Sequence, residues 1–200
     1  MYSLGAVYPF ELIGWALLAA APGEAVASKQ WATDASGIWA FRPGDDPSWS
    51  TTATSAEWAE MEVPGTWEDT PFAEHFGFAW YRRDVALPNG AQDLSILVPS
   101  FAYACEVFVN GVPLGQLGRF PPDNQVDAWN HQVFAIPQEA LRDGYLRIAL
   151  RVYREQLWLK QRSGTTTSDS LVWIGSSELI QAQQDALRQR RGPPAAMNGL

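Results

Sequence analysis

The sequence predicts an all-β sandwich or barrel, and three observations indicate that class. Apolar residues recur at a period of two in the middle of the chain, as in Leu146, Ile148, Leu150 and Val152, which is the pattern of a strand with one buried face. Fourteen prolines and sixteen glycines interrupt these runs, as expected for short strands joined by turns. Between residues 35 and 175 no long helical period occurs.

The individual strands follow from the same alternation, taken in chain order. We expect strands around Trp39 and Phe41, 81–85, 94–98, 105–109, 133–136, 146–152 and 171–174. In the second of these, Arg82 and Asp84 alternate with Tyr81, Arg83 and Val85. Asn110-Gly111 predicts a two-residue hairpin turn, because both positions of that turn require a positive φ. Residues 137–141 predict a single helical turn that begins at a proline.

The two ends of the chain differ from the body. We expect residues 1–30 to be a leader or, as the alternative, a buried N-terminal helix; their apolar run, 12–21, is too short to span a bilayer. Ala25-Val26-Ala27 matches a signal-peptide cleavage pattern, although no Lys or Arg precedes Lys29. A helix is predicted over 176–191, ended by Gly192. We therefore divide the chain into a leader (1–30), a sandwich domain (31–176) and a helical or flexible exit tail (177–200), which either links to something further or packs on the sandwich.

Charge and cysteine content exclude several classes of function. The 200 residues carry a net charge of -8 with a pI near 4.7, which argues against nucleic-acid binding and against docking on an anionic membrane. Cys105 is the single cysteine, so no intramolecular disulfide can form. It alternates with Val107 and Val109, which predicts a small buried core side chain.

Several short signatures occur in a fixed order along the chain: Val63-Pro64-Gly65-Thr66-Trp67, Trp80-Tyr81-Arg82-Arg83, Val107-Phe108-Val109-Asn110-Gly111, Leu114-Gly115, Phe134-Ala135-Ile136-Pro137 and Ile148-Ala149-Leu150-Arg151-Val152. Their order and spacing resemble the N-terminal sugar-binding domain of glycoside hydrolase family 2. The resemblance covers roughly residues 35 to 175. It implies a galactose-binding-domain-like jelly-roll β-sandwich.

The resemblance implies a binding module rather than an enzyme, because the catalytic acids of that family lie in a separate barrel domain. The same module is similar to extracytoplasmic sensor regions of bacterial membrane signalling proteins. We therefore expect a non-catalytic carbohydrate-binding-like sensor in the periplasm or another extracytoplasmic space. Any membrane tether would lie in sequence outside this chain. The alternatives are a protein-interaction module that kept the fold and an accessory sugar-binding domain of a family 2 hydrolase. The expected partners are a carbohydrate ligand and a second copy of the chain in a homodimer.

Catalytic and metal-binding patterns find little support. Glycosidases need two opposed carboxyl groups, whereas the acids at 57, 60, 62, 68, 69 and 74 form a cluster typical of a solvated face. The two histidines, His75 and His131, lie too far apart in sequence to suggest zinc. Asp123, Asp127 and Asn130 offer oxygen ligands for calcium, but their spacing fits no standard loop. We expect no cofactor and no metal.

A sugar site needs an aromatic platform and a few hydrogen-bonding side chains. The candidate platforms near loops are Trp80, Tyr103, Phe120, Trp129 and Trp158. Asp127, Trp129 and Asn130 provide an aromatic ring and hydrogen-bonding side chains in one long loop. Arg83 is the fourth predicted ligand-binding residue. For Trp129 the alternative is a plug over the mouth of the sandwich. For 80–83 the alternative is structural, with Trp and Tyr packed and the arginines paired to acids on neighbouring strands.

Overall fold

The fold is built from short antiparallel strands. A computed structural model describes residues 30–52, 55, 57–99, 104–123, 125, 131–141, 144–155 and 172–191. Within these ranges the strands are β1 (Ala32–Asp34), β2 (Gly37–Pro43), β3 (Ala59–Val63), β4 (Gly77–Ala86), β5 (Leu94–Val98), β6 (Ala104–Val109), β7 (Val112–Leu117), β8 (Gln132–Ala135), β9 (Tyr145–Arg154) and β10 (Trp173–Ser176). Two 3-10 helices, Pro47–Ser50 and Gln138–Ala140, and helix α1 (Ser177–Arg191) complete the described elements.

The strands form two antiparallel sheets. One has four strands in the order β1-β10-β5-β8, and the other has six in the order β3-β2-β4-β9-β6-β7. Side chains from both sheets meet in one buried apolar cluster, which confirms the predicted all-β sandwich. The jelly-roll description stays a prediction.

The core lies between the sheets because alternate residues of each strand face inward. Leu146, Ile148 and Leu150 of β9 are almost completely buried there, together with Ile96 of β5 and Ile174 of β10. Burying apolar surface stabilises the folded chain by roughly 25 cal/mol per Å². The residues at a period of two in β9 thus form the buried inner face, as the sequence predicts.

Helix α1 covers the outer face of the four-stranded sheet. Ile180 and Leu187 of the helix pack on Leu97 of β5, with Val133 and Trp173 beside them. All five residues of β5 are consequently buried, although the alternation alone predicted only one buried face. The helix predicted over 176–191 is confirmed to within one residue, and it packs on the sandwich.

The start of α1 is tied to the sheet by hydrogen bonds. The Ser177 hydroxyl donates to the Asp93 carbonyl at 3.0 Å and lies 2.8 Å from the Ser95 hydroxyl. Further along the helix, the buried amide of Gln184 donates to the His131 carbonyl at 2.7 Å. These bonds join the helix to β5 and to the residue just before β8.

The outer face of the six-stranded sheet is also partly covered. The prediction that β9 has one buried face and one solvated face is therefore wrong for the outer face. Ala149 has no exposed surface, and the neighbouring Arg147 and Arg151 are only partly exposed. Part of this cover is the segment after the 3-10 helix Pro47–Ser50, because Arg147 donates to the Thr51 carbonyl at 3.1 Å.

The hairpin between β6 and β7 turns where the sequence predicts. Asn110 and Gly111 have φ values of 48° and 81°, as a two-residue turn of this kind requires. The Asn110 side chain also donates to the Ala140 carbonyl at 2.7 Å and accepts from the Arg147 amide at 2.8 Å. It therefore fixes the position of the hairpin relative to β9.

The predicted leader lies outside the described residues except for Gln30. Among the residues that the structure describes, no helix is long and apolar enough to cross a membrane. The boundaries proposed for the leader, the domain and the tail stay predictions.

Two isoleucines provide a matched test of the core. Ile148 of β9 has no exposed surface, whereas Ile38 of β2 is 56% exposed. We expect Ile148→Ala to lower the free energy of unfolding by about 2–5 kcal/mol and Ile38→Ala to change it by about 0.5 kcal/mol or less. Urea unfolding followed by circular dichroism measures both, and equal losses at the two positions would contradict the sandwich interior described here.

Candidate functional site

An open hollow lies at the end of β7 and in the hairpin that follows it. It has a volume of about 520 Å³ and is lined by Gln116, Gly118, Arg119, Phe120 and Asp123. This volume falls in the range of roughly 300–1,000 Å³ found for small-molecule sites. The hollow therefore has the size of a small-molecule site, with one aromatic ring and three polar side chains in its walls.

Two backbone hydrogen bonds hold together the two ends of the segment around the hollow. The Arg119 amide donates to the Gln125 carbonyl at 2.7 Å, and the Gln125 amide donates back at 3.1 Å. The Arg119 and Asp123 side chains face each other at 3.5 Å while both remain more than half exposed. Such an exposed pair contributes little to stability, so both groups stay available to a ligand.

Phe120 is held by aromatic packing and by a stacked cation. Its ring packs edge-to-face on Phe78 at 5.1 Å between centroids, and Phe78 in turn packs on Tyr153 at 4.8 Å. The Arg151 guanidinium lies over both phenylalanines, 4.2 Å from the centroid of Phe78 and 4.8 Å from that of Phe120. Cation–π contacts of this kind favour a fixed ring orientation.

Arg151 is itself fixed by two carboxylates. Its Nε and Nη2 donate to the two oxygens of Asp45 at 2.6 and 2.7 Å, and Nη1 donates to Glu106 at 2.9 Å. Partial burial lowers the pKa of Arg151, but the bonds to the two carboxylates outweigh it and the net shift is upward. The permanent cation behind Phe120 is thus oriented by bidentate geometry.

A second ion pair between an arginine and a carboxylate lies further along the same face of the sheet. Arg147 donates through Nε and Nη2 to the two oxygens of Asp84 at 2.9 and 2.8 Å, and these bonds raise its pKa. The register places Arg147 opposite Asp84 and Arg151 opposite Trp80. Between Trp80 and Asp84, the residue of β4 that points to the same outer face is Arg82.

Arg82 has no such carboxylate among the residues that the structure describes. It is 2% exposed, and its Nη1 donates to the Thr52 carbonyl. Its Nε and Nη2 are buried without a hydrogen-bond partner. Burial, with the nearby Arg147 charge, lowers the pKa of Arg82 to about 10, so the side chain remains a cation at neutral pH.

Arg83 lies on the opposite, inner face of β4, facing the sandwich interior. Its Nη1 donates to the carbonyls of Ser36 and Ile38, the latter at 3.4 Å. The prediction that the arginines of this strand pair with acids on neighbouring strands is therefore wrong, because both guanidinium groups bind main-chain carbonyls in the described part of the chain. Whether Arg83 also contacts a ligand stays a prediction.

The other predicted ligand-binding residues, Asp127, Trp129 and Asn130, lie outside the described residues. They follow Gln125, the last hairpin residue that the structure describes, by two to five positions in sequence. Their role stays a prediction. Tyr103 and Trp158 also lie outside the described residues.

The expectation that Trp80 is a candidate aromatic platform for a sugar is wrong. It has no exposed surface, and its ring packs at 5.5 Å from that of Phe108 on the covered face of the sheet. Trp80 therefore cannot serve as an accessible platform in this conformation. Phe120, which the sequence offered only as one of five candidates, is the aromatic residue that lines the hollow.

The groups that could act in catalysis or bind a metal are the acidic residues of 57–74 and the thiol of Cys105. Glu57, Glu60 and Glu62 are exposed, as expected for a solvated face, while Glu68 is bonded to Arg154 at 3.3 Å. The described residues include no group of three or more His, Cys, Asp or Glu that could hold a metal ion. Cys105 is fully buried in the core, and burial raises the pKa of its thiol well above the usual value.

Sequence reasoning missed Gln116, Arg119 and Arg151 as site residues. Gln116 and Arg119 flank a glycine beside a strand end, a pattern too common to be distinctive. Arg151 carried a usable signal, since it is the outward residue between two inward core residues of the strongest predicted strand. Its partner Asp45 lies over a hundred positions away, and no local pattern reveals that contact.

Comparisons with known proteins show what the fold is similar to. No family model and no curated protein matches the chain. Among solved structures, a β-glucuronidase from Ruminococcus gnavus in complex with an N1-substituted uronic isofagomine is similar over 74% of this chain and 30% of its own, with a TM-score of 0.56 and 15% identity. A Bifidobacterium dentium β-glucuronidase complexed with coumarin-3-O-glucuronide gives the same coverage and TM-score at 16% identity.

A glycosyl hydrolase family 2 member from Bacteroides cellulosilyticus is similar over 72% of this chain and 20% of its own, with a TM-score of 0.55 and 18% identity. At these identities the comparisons show a shared fold. The chain spans about a fifth to a third of the enzymes it resembles. The predicted likeness to a domain of glycoside hydrolase family 2 is thus confirmed at the level of the fold.

The buried thiol gives a direct test of the described core. Because a protonated, inaccessible thiol is a poor nucleophile, we expect Cys105 in the folded chain not to react with DTNB at pH 8 over an hour. Complete reaction is expected in 6 M guanidinium chloride. Absorbance of the released thiolate measures both, and rapid stoichiometric reaction of the native chain would contradict the placement of Cys105.

Proposed function

We propose that the sandwich is a non-catalytic carbohydrate-binding module, and that it acts as the periplasmic or extracytoplasmic sensing part of a bacterial membrane signalling protein. The observation that carries the binding role is the Phe120 ring in the wall of an open hollow. Polar side chains of Gln116, Arg119 and Asp123 surround it. Any membrane attachment would be made by sequence outside this chain.

The chemistry of the hollow suits a sugar. The C–H face of a sugar ring packs on an aromatic ring, while amide, guanidinium and carboxylate groups bond its hydroxyls. Arg151 supports one side of Phe120, so the ring is ordered before a ligand arrives. Such preorganisation reduces the entropy lost on binding.

The structural neighbours support an accessory rather than a catalytic role. They are glycosidases, and the matched region amounts to 30% or less of the three enzymes compared. A module of this kind holds a sugar while another domain performs the chemistry. Because fold does not determine function, the role assigned here depends on the hollow.

A sensing role needs a connection from the ligand to the exit helix. Asp127, Trp129 and Asn130, three of the predicted ligand residues, come just before His131 in sequence. The His131 carbonyl accepts the buried hydrogen bond from Gln184 of α1. A ligand shifts a conformational equilibrium only if it binds one state more tightly. We propose that a change in the loop before His131 alters this bond and thereby the packing of α1.

Sugar binding can be tested with a matched pair of phenylalanine variants. Isothermal titration of the 200-residue chain with glucose, galactose, mannose, xylose and their β-1,4-linked disaccharides should detect at least one ligand. Phe120→Ala should weaken that ligand by about tenfold, corresponding to about 1.4 kcal/mol. Phe76→Ala is the control, because Phe76 also lies under an arginine, Arg154, but does not line the hollow. Absence of binding by every sugar, together with a stable dimer in light scattering, would instead favour a protein-interaction module.

The connection to the helix has its own test. With the best sugar at saturation, amide hydrogen exchange in residues 184–190 of α1 should change by at least about twofold relative to the free protein. Gln184→Leu should abolish that response while leaving sugar affinity within about twofold. Gln189→Leu, at an exposed position of the same helix, should respond like wild type. An unchanged response in Gln184→Leu would refute the proposed connection.

A further inference from the structure

Three arginines lie on adjacent outward positions of β4 and β9, and two of them share one mode of binding. Arg147 and Arg151 each present the Nε and Nη2 edge of the guanidinium to both oxygens of a carboxylate, Asp84 and Asp45 respectively. Arg82 lies between them, with the same edge buried and unoccupied. The unoccupied edge is thus the one that binds a carboxylate at both neighbouring positions.

The surroundings of Arg82 leave this edge without an internal acceptor. The residues paired with it across both neighbouring strands are Ala40 and Ala149, which carry no polar side-chain atoms. The indole Nε1 of Trp80, two positions along the same face, is also buried without a partner. Trp80 and Arg82, which share one face of β4, therefore carry three buried donors without a partner among the described residues.

The aromatic and charged neighbours favour an anion. The Arg82 guanidinium lies 5.3 Å from the ring centroid of Trp58, and Asp84, two positions along β4, is already engaged by Arg147. Leaving a buried donor unpaired destabilises the folded chain, and more so for a charged group. An acceptor that reached these donors would recover that cost.

We propose that Arg82 forms a binding site for a small carboxylate, which takes the Nε and Nη2 edge of the guanidinium with both oxygens on the face of β4 that also carries Trp80. Charge-assisted bidentate bonds are the strong form of this interaction. Thr52 and Trp58 cover the guanidinium, so binding requires a small shift of these residues. The site lies outside the hollow and does not depend on the proposed sugar-binding function.

Acetate is the probe, with acetamide as its neutral analogue of similar shape. In the ¹⁵N-labelled 200-residue chain, the Arg82 Nε–H and Trp80 Nε1–H signals should shift saturably with sodium acetate at constant ionic strength. Acetamide should bind at least about tenfold more weakly. Shifts that are linear and alike for acetate, acetamide and chloride would overturn the proposal.

Variants provide the second arm. Acetate should raise the melting temperature of the wild type relative to equal concentrations of chloride, as any ligand of the native state does. Arg82→Met should lose this increment, whereas Arg188→Met, which removes the same charge from an exposed position of α1, should keep it. Equal stabilisation of all three proteins by acetate would refute the site. If Arg82→Met does not fold, the titration of the wild-type signals decides the question alone.

Discussion

The pairing of β4 with β9 is the constraint on which the rest of this structure depends. Ten consecutive residue pairs join the strands, from Gly77 opposite Arg154 to Ala86 opposite Tyr145. Both strands are interior to the six-stranded sheet, so each is bonded on both sides. Since side chains alternate between the faces of a strand, this single register decides which residues enter the core and which form the arginine and aromatic layer outside. A slip by one residue would exchange the two sets.

The two faces of this ladder have different chemistry, and that difference gives the molecule its candidate sites. Inside, aliphatic residues of β9 meet those of the four-stranded sheet, whose other side is closed by α1. Outside, cations held by carboxylates lie among aromatic rings. Arg151, oriented by its carboxylates, packs on Phe120 and so orients the ring that lines the hollow. Arg82 lies between the two ion pairs, and the Nε and Nη2 edge of its guanidinium has no partner among the described residues. Both sites thus arise from side chains that the β4–β9 register places next to one another.

The sequence predicted those features that depend on local pattern. Period-two alternation located the main strands, Asn110-Gly111 located a hairpin, and the run of good helix formers after Ser176 located α1. It did not predict long-range contacts, because pairing partners across a sheet leave no local pattern. The alternative in which Arg82 and Arg83 pair with acids fails for this reason, because Arg82 binds the Thr52 carbonyl and Arg83 binds the carbonyls of Ser36 and Ile38. The cover over the outer face of the six-stranded sheet was missed for the same reason, whereas packing of the exit helix on the sandwich was one of two alternatives that the sequence left open.

Native-state hydrogen exchange tests the central role of the β4–β9 ladder most directly. The amides of β4 and β9 should exchange only through global unfolding, with free energies equal to that from urea unfolding, while those of the edge strands β1 and β7 should open at lower cost. Exchange of the β4 and β9 amides at a lower free energy than the edge strands would contradict this account of the fold and of the two sites built on it.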